Sequence, residues 1–229
     1  MTGDVFDVFA EPGLAFVAQH LDTVRRPGAR LLEIGCGTGA KGRIVGHEMT
    51  VVGSDIEPEI IRQGATLGSD PVFVCADNEY LPFRPETFDG VFSFSVLQYS
   101  DWRHVINECR RVMRPRGCGA FVENLRDNPF IQVGRLLQVR QRRRLPVSAR
   151  PRHHLTNRDL GYFASVFSSV QVRRLHITTP LLLIPAIQAH FPTTSSRSCL
   201  YRCLGALDEE FLRTPLANAA WIAVILVRT

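Results

Sequence analysis

One stretch of the chain is an apolar run that ends in three alternate glycines: Leu31-Leu32-Glu33-Ile34-Gly35-Cys36-Gly37-Thr38-Gly39. The apolar run predicts a buried strand, and a short helix is predicted over the following residues, Gly39–His47. Glycines allow a sharp turn and a close approach of the backbone to a ligand, and the first N–H groups of a helix are free to bind it. The stretch therefore predicts a nucleotide-type loop. A tight turn without a ligand is the alternative.

Two acidic residues lie at the predicted ends of the next two strands. Asp55 follows the strand Thr50–Ser54, where an acid can accept hydrogen bonds from both ribose hydroxyls. Asp77 follows the strand Pro71–Ala76, where its carboxylate can accept a bond from an adenine amino group, and the backbone N–H of Asn78 can meet a ring nitrogen. The alternatives are that Asp55 caps the next helix and that Asp77-Asn78 is a plain turn.

Strands and helices alternate along most of the chain. The further predicted strands are Phe88–Val96, Cys118–Glu123, Val170–Thr178 and Trp221–Arg228. The further predicted helices are Phe6–Leu21 with a kink at Pro12-Gly13, Pro58–Leu67, Asp101–Met113, one that starts at Thr156 within a capping box, and Cys199–Leu212. This alternation predicts an α/β protein with a doubly wound, parallel sheet.

Length and composition favour a single domain over residues 1–229. The net charge of +5 comes almost entirely from arginine, since Lys41 is the only lysine, and this indicates coding bias before it indicates an anionic partner. The N-terminus lacks the apolar core of a signal peptide, and no apolar run is long enough to span a membrane. We therefore expect a cytoplasmic protein without a membrane span, and either a monomer or a homodimer.

The six cysteines show neither a disulfide framework nor zinc-ribbon spacing. Cys199 and Cys203 are four residues apart on a predicted helix, and no further histidine or cysteine pair is near them in the sequence to complete a metal site. We therefore expect no bound metal.

Residues 1–27 are a candidate helical lid, and two segments that do not fit the simple alternation, residues 124–155 and 179–216, are candidate lid or substrate elements. In the first of the three, Phe6 and Phe9 either close over a ligand or are ordinary core residues. The second holds seven arginines within Arg135–Arg152, which indicate either an acidic or phosphorylated acceptor or, as we favour, a solvated helix face. In the third, the apolar run Leu181–Ile187 either lines a pocket for a hydrophobic substrate or packs in a lid or dimer contact.

Together these motifs resemble the class I S-adenosylmethionine (SAM)-dependent methyltransferases, close to the enzymes of ubiquinone and menaquinone biosynthesis. The resemblance rests on Leu31–Gly39, Val51–Asp55, Cys75–Asn78, Leu81-Pro82-Phe83, Phe88–Ser93, Val96-Leu97 and Glu108–Gly119. It is strong from Gly28 to Glu123 and weak from Thr156 to Thr229. It implies a Rossmann-like seven-stranded, mostly parallel sheet with an antiparallel terminal strand, and SAM as the cofactor, with S-adenosylhomocysteine as the product.

The resemblance also implies the cofactor-binding residues. Glu33 anchors the glycine loop. The methionine moiety faces Gly35, Cys36 and Gly37, with Gly39 completing the loop. The remaining residues implied are Asp55 with Ile56 at the ribose, Asp77 and Asn78 at the adenine, and Phe94 and Ser95 beneath the sulfonium.

Departures from the family pattern bear on the acceptor. Gln98-Tyr99 stands where many relatives carry histidine, and Ser93-Phe94-Ser95-Val96 lacks the Asn/Asp-Pro-Pro-aromatic motif of enzymes that methylate a flipped base. The chain also has no Pro-Cys dipeptide, which argues against a cytosine C5 methyltransferase of the usual design. These absences favour a small-molecule acceptor over nucleic acid.

Tyr99 and His154 are the candidates for a general base or an orienting group, with His153 as the alternate. A base is needed only where the acceptor must lose a proton. The alternatives are a packing role for Tyr99 and a solvated loop at His153-His154.

Three other functions compete with this interpretation. An NAD(P)-dependent oxidoreductase would explain the G-x-G-x-x-G match at Gly37–Gly42, although Lys41 as the sole lysine excludes a Tyr-x-x-x-Lys pair. A non-catalytic, regulatory SAM-binding protein is the second. The third is a methyltransferase that binds RNA through its arginine-rich segment.

Overall fold

The computed structural model describes residues 5–68, 71–137, 151–183 and 194–229. This part of the chain contains seven strands: β1 (Arg30–Ile34), β2 (Thr50–Asp55), β3 (Val72–Cys75), β4 (Phe88–Phe94), β5 (Met113–Asn124), β6 (Ser169–Leu175) and β7 (Ile222–Arg228). The α-helices in the same ranges are α1 (Val5–Leu21), α2 (Ala40–Val45), α3 (Pro58–Thr66), α4 (Trp102–Val112), α5 (Pro129–Leu137), α6 (Leu160–Val166) and α7 (Thr194–Phe211). Short 3₁₀ helices lie at Leu97–Tyr99, Thr179–Leu183 and Pro215–Ala219.

The strands form one sheet in the order β3-β2-β1-β4-β5-β7-β6. The first five strands pair in parallel, and β7 is antiparallel to both β5 and β6. This confirms the Rossmann-like α/β fold and its antiparallel terminal strand. The chain winds outward from β1 to β3 and then returns to place β4 on the other side of β1. Ligands of such sheets bind at this reversal, beyond the carboxyl ends of the strands.

Both faces of the sheet are covered, and this explains the nearly continuous apolar sequence of the central strands. Only the first residue of β1 is exposed, and only the last residue of β7. One buried cluster joins the sheet to α4 and α6, through side chains such as Ile106 and Phe163. A second joins it to α1, through Val17 and Leu21 among others. The sheet is therefore a rigid base for the loops at its carboxyl edge.

The start and the buried face of helix α4 follow from its own sequence. The Asp101 carboxylate accepts hydrogen bonds from the backbone N–H groups of Arg103 (3.1 Å) and His104 (3.5 Å), which confirms the predicted N-cap. The residues of its apolar face are buried, and they follow the helical period: Trp102, Val105, Ile106, Cys109 and Val112. The helix thus begins and packs as its sequence predicts.

Three predicted boundaries are wrong. Strand β5 begins at Met113 rather than Cys118, because Met113 pairs with Phe88 of β4 before a register shift. Helix α6 begins at Leu160, although the predicted start was Thr156. The Asp159 carboxylate does accept from the backbone N–H (2.9 Å) and hydroxyl (2.7 Å) of Thr156, but residues 157–159 form a turn. Helix α7 begins at Thr194, five residues before the predicted start at Cys199. The other ends differ by at most three residues.

Helix α1 packs on the sheet, and Pro12 lies inside a continuous helix. Phe9 is buried, with its ring 5.2 Å from that of His176, 5.4 Å from that of Trp221 and 5.8 Å from that of Tyr201. Phe9 is therefore a core residue, whereas the side chain of Phe6 lies outside the described residues. The lid role of residues 1–27 stays a prediction.

The other two candidate insertions meet each other, since α5 and α7 both contact the 3₁₀ helix Thr179–Leu183. Leu182 is buried in the same core cluster as α1, so it packs inside the protein. Residues 184–187 of the predicted apolar run and most of the arginine-rich segment, residues 138–150, lie outside the described residues. No described helix combines the length and the apolar character that crossing a membrane requires.

Candidate cofactor and active site

A cavity of about 400 Å³ opens at the carboxyl ends of the central parallel strands. This volume falls within the range of roughly 300–1,000 Å³ that small-molecule sites occupy. Many of the residues singled out from the sequence line it: Gly35, Asp55, Ile56, Asp77, Asn78 and Phe94, together with Ser95 and Tyr99. The cavity lies where the strand order reverses, as the fold rule for open α/β sheets requires.

The glycine loop turns sharply in a backbone conformation that favours glycine. Gly35, Gly37 and Gly39 have φ values of 58°, 54° and 75°, which side chains rarely tolerate. A Cβ added at Gly35 would lie 2.8 Å from Cγ1 of Val96 and closer still to Cγ2. Only glycine therefore allows β1 to end directly against the turn that follows β4.

Glu33 supports the loop from behind. Its buried carboxylate accepts a hydrogen bond of 3.1 Å from the backbone N–H of Gly42, in the first turn of α2. Gly39, the N-cap, has no side chain, so Glu33 takes the place of a capping residue. Burial raises the pKa of Glu33 to about 8, against the opposing effect of the Gly42 N–H. Its prediction as the anchor of the loop fits this contact with α2.

Cys36 turns away from the cavity. Its thiol is buried against Gly53 of β2, where a Cβ would lie 2.8 Å from Sγ, and burial raises its pKa. The side chain is therefore not a reactive thiolate. Glu33, Cys36, Gly37 and Gly39 do not line the cavity, so they shape the loop.

Asp55 connects the glycine loop to the end of β2. One carboxylate oxygen accepts from the backbone N–H of Gly37 (2.9 Å), and the other accepts from that of Glu57 (3.0 Å). An ionised carboxylate offers about four lone-pair directions, so acceptor capacity remains for a diol in the cavity.

The end of β3 carries the Asp77-Asn78 pair into the same cavity. Asp77 accepts a hydrogen bond of 2.9 Å from the backbone N–H of Glu79, so the turn holds its carboxylate. The Asn78 side-chain oxygen accepts a bond of 2.8 Å from the hydroxyl of Ser54, a fully buried residue of β2. No local sequence pattern indicated Ser54, which orients Asn78 from the neighbouring strand.

The floor of the cavity is the turn after β4, and β5 holds it. Buried Glu123 accepts hydrogen bonds from the backbone N–H groups of Val96 (3.0 Å) and Leu97 (3.2 Å). Asn124 donates a bond of 3.1 Å to the hydroxyl of Ser95, whose φ of 56° is in the left-handed region. Burial raises the pKa of Glu123 to about 7, against the effect of the two N–H groups. No local sequence pattern indicated Glu123 or Asn124 as residues that support the site.

Comparisons with known proteins agree with this geometry. Residues 32–121 match a family described as a methyltransferase domain. The demethylmenaquinone methyltransferase of Thermotoga maritima is 28% identical over 47% of this chain and 48% of its own length. The 18S rRNA (guanine-N(7))-methyltransferase bud23 of Schizosaccharomyces pombe is 40% identical over 30% of this chain and 27% of its own.

Residues 32–121 therefore form a methyltransferase domain, and this match and the relatives named as methyltransferases support the class I SAM-dependent methyltransferases as its family. The matched region spans about half or less of the length of the first curated relatives. A solved structure of Haemonchus contortus phosphoethanolamine N-methyltransferase 2, in complex with S-adenosyl-L-methionine, has the same fold. It has a TM-score of 0.57 and 16% sequence identity, and the similarity covers 92% of this chain and 52% of that one.

The mouth of the methyltransferase cavity is formed by the 3₁₀ helix Leu97–Tyr99 and the segment 151–155. The Gln98 carbonyl accepts hydrogen bonds from the backbone N–H groups of Arg152 (2.7 Å) and His153 (3.1 Å). Tyr99 lines the cavity and is 40% exposed. His154 is not among the lining residues, and His153 contacts Asp159 at 3.3 Å instead. The structure therefore brings Tyr99, but not His154, to the cavity.

Four polar residues that line the cavity were not predicted individually: Glu57, Glu79, Ser100 and Arg152. Glu57 and Glu79 follow Asp55 and Asp77 by two residues, and Ser100 follows Tyr99, so proximity to predicted site residues was an available signal for these three. Arg152 had none beyond its place in an arginine-rich segment. Within the described residues, no group of three or more His, Cys, Asp or Glu side chains has the arrangement of a metal site.

Proposed function

We propose that this protein transfers the methyl group of SAM to a small-molecule acceptor in the cytoplasm, as part of a biosynthetic reaction. The observation that carries the proposal is the convergence of Gly35, Asp55 and the Asp77-Asn78 pair on one cavity. Each comes from a different strand end, and each suits a different part of an adenosyl cofactor. All six cysteines are free thiols, as is usual in a reducing compartment.

The residues present fit such a cofactor. The absence of a side chain at Gly35 leaves room for a ligand to approach the backbone, and Asp55 has acceptor capacity for ribose hydroxyls. Asp77 can accept from an adenine amino group. Acidic side chains from β2 and β3 also suit a cofactor that carries an ammonium and a sulfonium charge.

Bound SAM supplies a methyl group already activated by a positively charged sulfur. The contribution of the protein is then to hold the acceptor atom in line with this group, at about 3–3.5 Å, and to exclude water. The rigid turn at Phe94–Leu97 gives the cavity a fixed floor for that purpose. Tyr99 is the candidate that orients the acceptor or takes its proton, because it lines the cavity and His154 does not.

Binding of the cofactor is tested by calorimetric titration with S-adenosylhomocysteine, with NADH and NADPH in parallel. We expect micromolar affinity for S-adenosylhomocysteine alone, and a loss of at least about tenfold in Asp55→Ala. Asp22→Ala is the control, because Asp22 is an exposed acid that pairs with Arg25 far from the cavity. Binding of a nicotinamide nucleotide instead would support the oxidoreductase alternative.

Catalysis needs a second assay, because binding alone is also expected of a non-catalytic SAM-binding protein. Release of S-adenosylhomocysteine is measured with pools of small metabolites, and separately with total tRNA and rRNA. We expect turnover with a small-molecule pool. An RNA acceptor is the second candidate, since the relatives include proteins named as tRNA and rRNA methyltransferases. Turnover with RNA alone would replace the first proposal with the second.

A further inference from the structure

The cavity is lined by acidic side chains and by two hydrogen-bond donors. Four carboxylates line it, from Asp55, Glu57, Asp77 and Glu79. The turn after β4 and the segment 151–155 add Ser100 and Arg152, and the Arg152 guanidinium lies near the Glu79 carboxylate. Arg152 is the only cationic residue among those that line the described cavity. Asp55 and Asp77 suit the cationic cofactor, which leaves Ser100 and Arg152 for the acceptor.

The backbone at Arg152 is fixed against the cavity wall. The N–H groups of Arg152 and His153 both donate to the Gln98 carbonyl, at 2.7 Å and 3.1 Å. Gln98 belongs to the 3₁₀ helix that also carries Tyr99, so the position of the arginine is tied to the floor of the site. The backbone from which the Arg152 side chain extends is therefore anchored at the cavity wall.

The charge of Arg152 is only weakly engaged within the described chain. Its nearest acidic partner there is Glu79, with Nη1 and Oε1 3.9 Å apart, which is beyond hydrogen-bonding distance. The Arg152 side chain is 72% exposed, and an exposed pair of this kind contributes little to stability. Glu79 meanwhile accepts a hydrogen bond of 2.8 Å from the backbone N–H of Asp101. Arg152 could therefore leave Glu79 and bind another anion at little cost in free energy.

Ser100 provides an independent sign of a ligand. Its hydroxyl oxygen is buried and has no hydrogen-bond partner in the described part of the chain, yet the residue lines the cavity. Buried polar groups nearly always have a partner, so this hydroxyl retains an unused hydrogen bond next to the cavity. A hydroxyl can donate to an anionic oxygen.

We propose that Arg152, assisted by Ser100, binds an anionic oxygen group of the acceptor, a carboxylate or a phosphate, and so determines acceptor specificity. The inference rests on the proposed function and concerns the same cavity. A guanidinium binds such groups through two parallel hydrogen bonds, which fix both position and orientation. An anionic acceptor needs this cation, because the four carboxylates that line the cavity repel it. A neutral acceptor leaves the Ser100 hydroxyl and the Arg152 charge unused.

The test uses the full chain saturated with S-adenosylhomocysteine and measures dissociation constants by ligand-observed NMR. The probes are benzoate, phenylacetate and octanoate, each compared with its uncharged amide. We expect at least one carboxylate to bind about tenfold or more tightly than its amide, and Arg152→Gln to remove this preference. Ser100→Ala should reduce it several-fold. Arg158→Gln is the matched control, because Arg158 is an exposed arginine nearby that does not line the cavity.

The affinity for S-adenosylhomocysteine, measured on every variant, separates this inference from the proposed function. Absence of that binding in the unaltered protein would defeat the proposed function. With the cofactor product bound, three results would overturn the inference: equal binding of acids and amides or no binding of either, a preference that survives in Arg152→Gln, or a parallel loss of S-adenosylhomocysteine affinity in Arg152→Gln. The last result would assign Arg152 to the cofactor.

Discussion

The carboxylate of Glu123, near the end of β5, accepts a 3.0 Å hydrogen bond from the backbone N–H of Val96, in the turn after β4. This contact crosses between neighbouring strands and fixes the floor of the cavity at the place where Val96 also closes against Gly35. The glycine loop and the floor of the cavity are therefore in contact through Val96, and the buried carboxylate of Glu123 holds the backbone of Val96.

Glu123 should make the stability of the protein depend on pH. Burial raises its pKa in the folded chain to about 7, whereas the ordinary value is 4.5. As pH rises from 4.5 to 7, the unfolded chain loses this proton first, so the free energy of unfolding falls across that window. The loss is on the order of 3 kcal/mol by pH 8. We expect Glu123→Gln to remove this part of the decline in urea unfolding measured from pH 4 to pH 8.

Glu209→Gln is the control for Glu123→Gln, because Glu209 is an exposed glutamate on α7. Its pH profile should run parallel to that of the unaltered protein. An equal decline in Glu123→Gln and in the unaltered protein would show that Glu123 carries no raised pKa.

Gly35 and Gly28 provide a matched pair for the glycine loop. Both have positive φ, at 58° and 79°, so alanine at either costs about 1–2 kcal/mol of backbone strain. A Cβ at Gly28 meets no atom within 4 Å, whereas one at Gly35 overlaps with Val96. We expect Gly35→Ala to lose more stability and at least about tenfold in S-adenosylhomocysteine affinity, measured by calorimetry. Gly28→Ala should keep that affinity, and equal losses in both would disprove the close approach at Gly35.

The site residues that could be predicted from the sequence lie in a strand or directly after its carboxyl end. The run from Leu31 to Gly39, and Asp55 and Asp77 after β2 and β3, follow from local patterns, because parallel strands bring their carboxyl ends to one edge. Glu123 and Ser54 could not be identified this way. Each acts on a group 24 or more residues away in sequence, so its role depends on strand pairing.

The wrong boundary of β5 and the open alternatives for Phe9 have the same physical origin. Arg114-Pro115-Arg116-Gly117 has the composition of a turn, but pairing of Met113 with Phe88 draws these residues into β5. Phe9 has the same helical spacing whether it faces a ligand or a core, and its packing against His176 and Trp221 decides between them. Tertiary contacts therefore override local signals at these positions.

Ser54→Ala should weaken binding of the adenine part of the ligand, although Ser54 itself does not line the cavity. The Ser54 hydroxyl donates a 2.8 Å bond to the Asn78 side chain, and its loss frees that side chain to rotate. We expect the affinity for adenosine, measured by calorimetry, to fall about threefold to tenfold. Ser168→Ala also removes one serine hydrogen bond, of 3.0 Å to the Arg228 carbonyl, but far from the cavity. An unchanged adenosine affinity in Ser54→Ala would show that Asn78 does not depend on this contact.

His176 should add a second pH dependence, of opposite sign to that of Glu123. It is buried, with Nδ1 2.9 Å from the Thr179 hydroxyl and Nε2 3.0 Å from the Phe9 carbonyl. Burial lowers its pKa below 6.5, although the Phe9 carbonyl and the Asp208 charge oppose this. As pH falls below 6.5, the unfolded chain takes up the proton first, so the free energy of unfolding falls with pH.

The substitution that tests His176 is His176→Asn, because asparagine tolerates its φ of 65° and does not titrate. The variant loses hydrogen bonds and should be less stable at pH 7.5. Its deficit relative to the unaltered protein should shrink when urea unfolding is repeated at pH 5.5. His47→Asn, at an exposed histidine, should show no such change between the two pH values. A constant deficit in His176→Asn would mean that the folded and unfolded chains bind the His176 proton equally well.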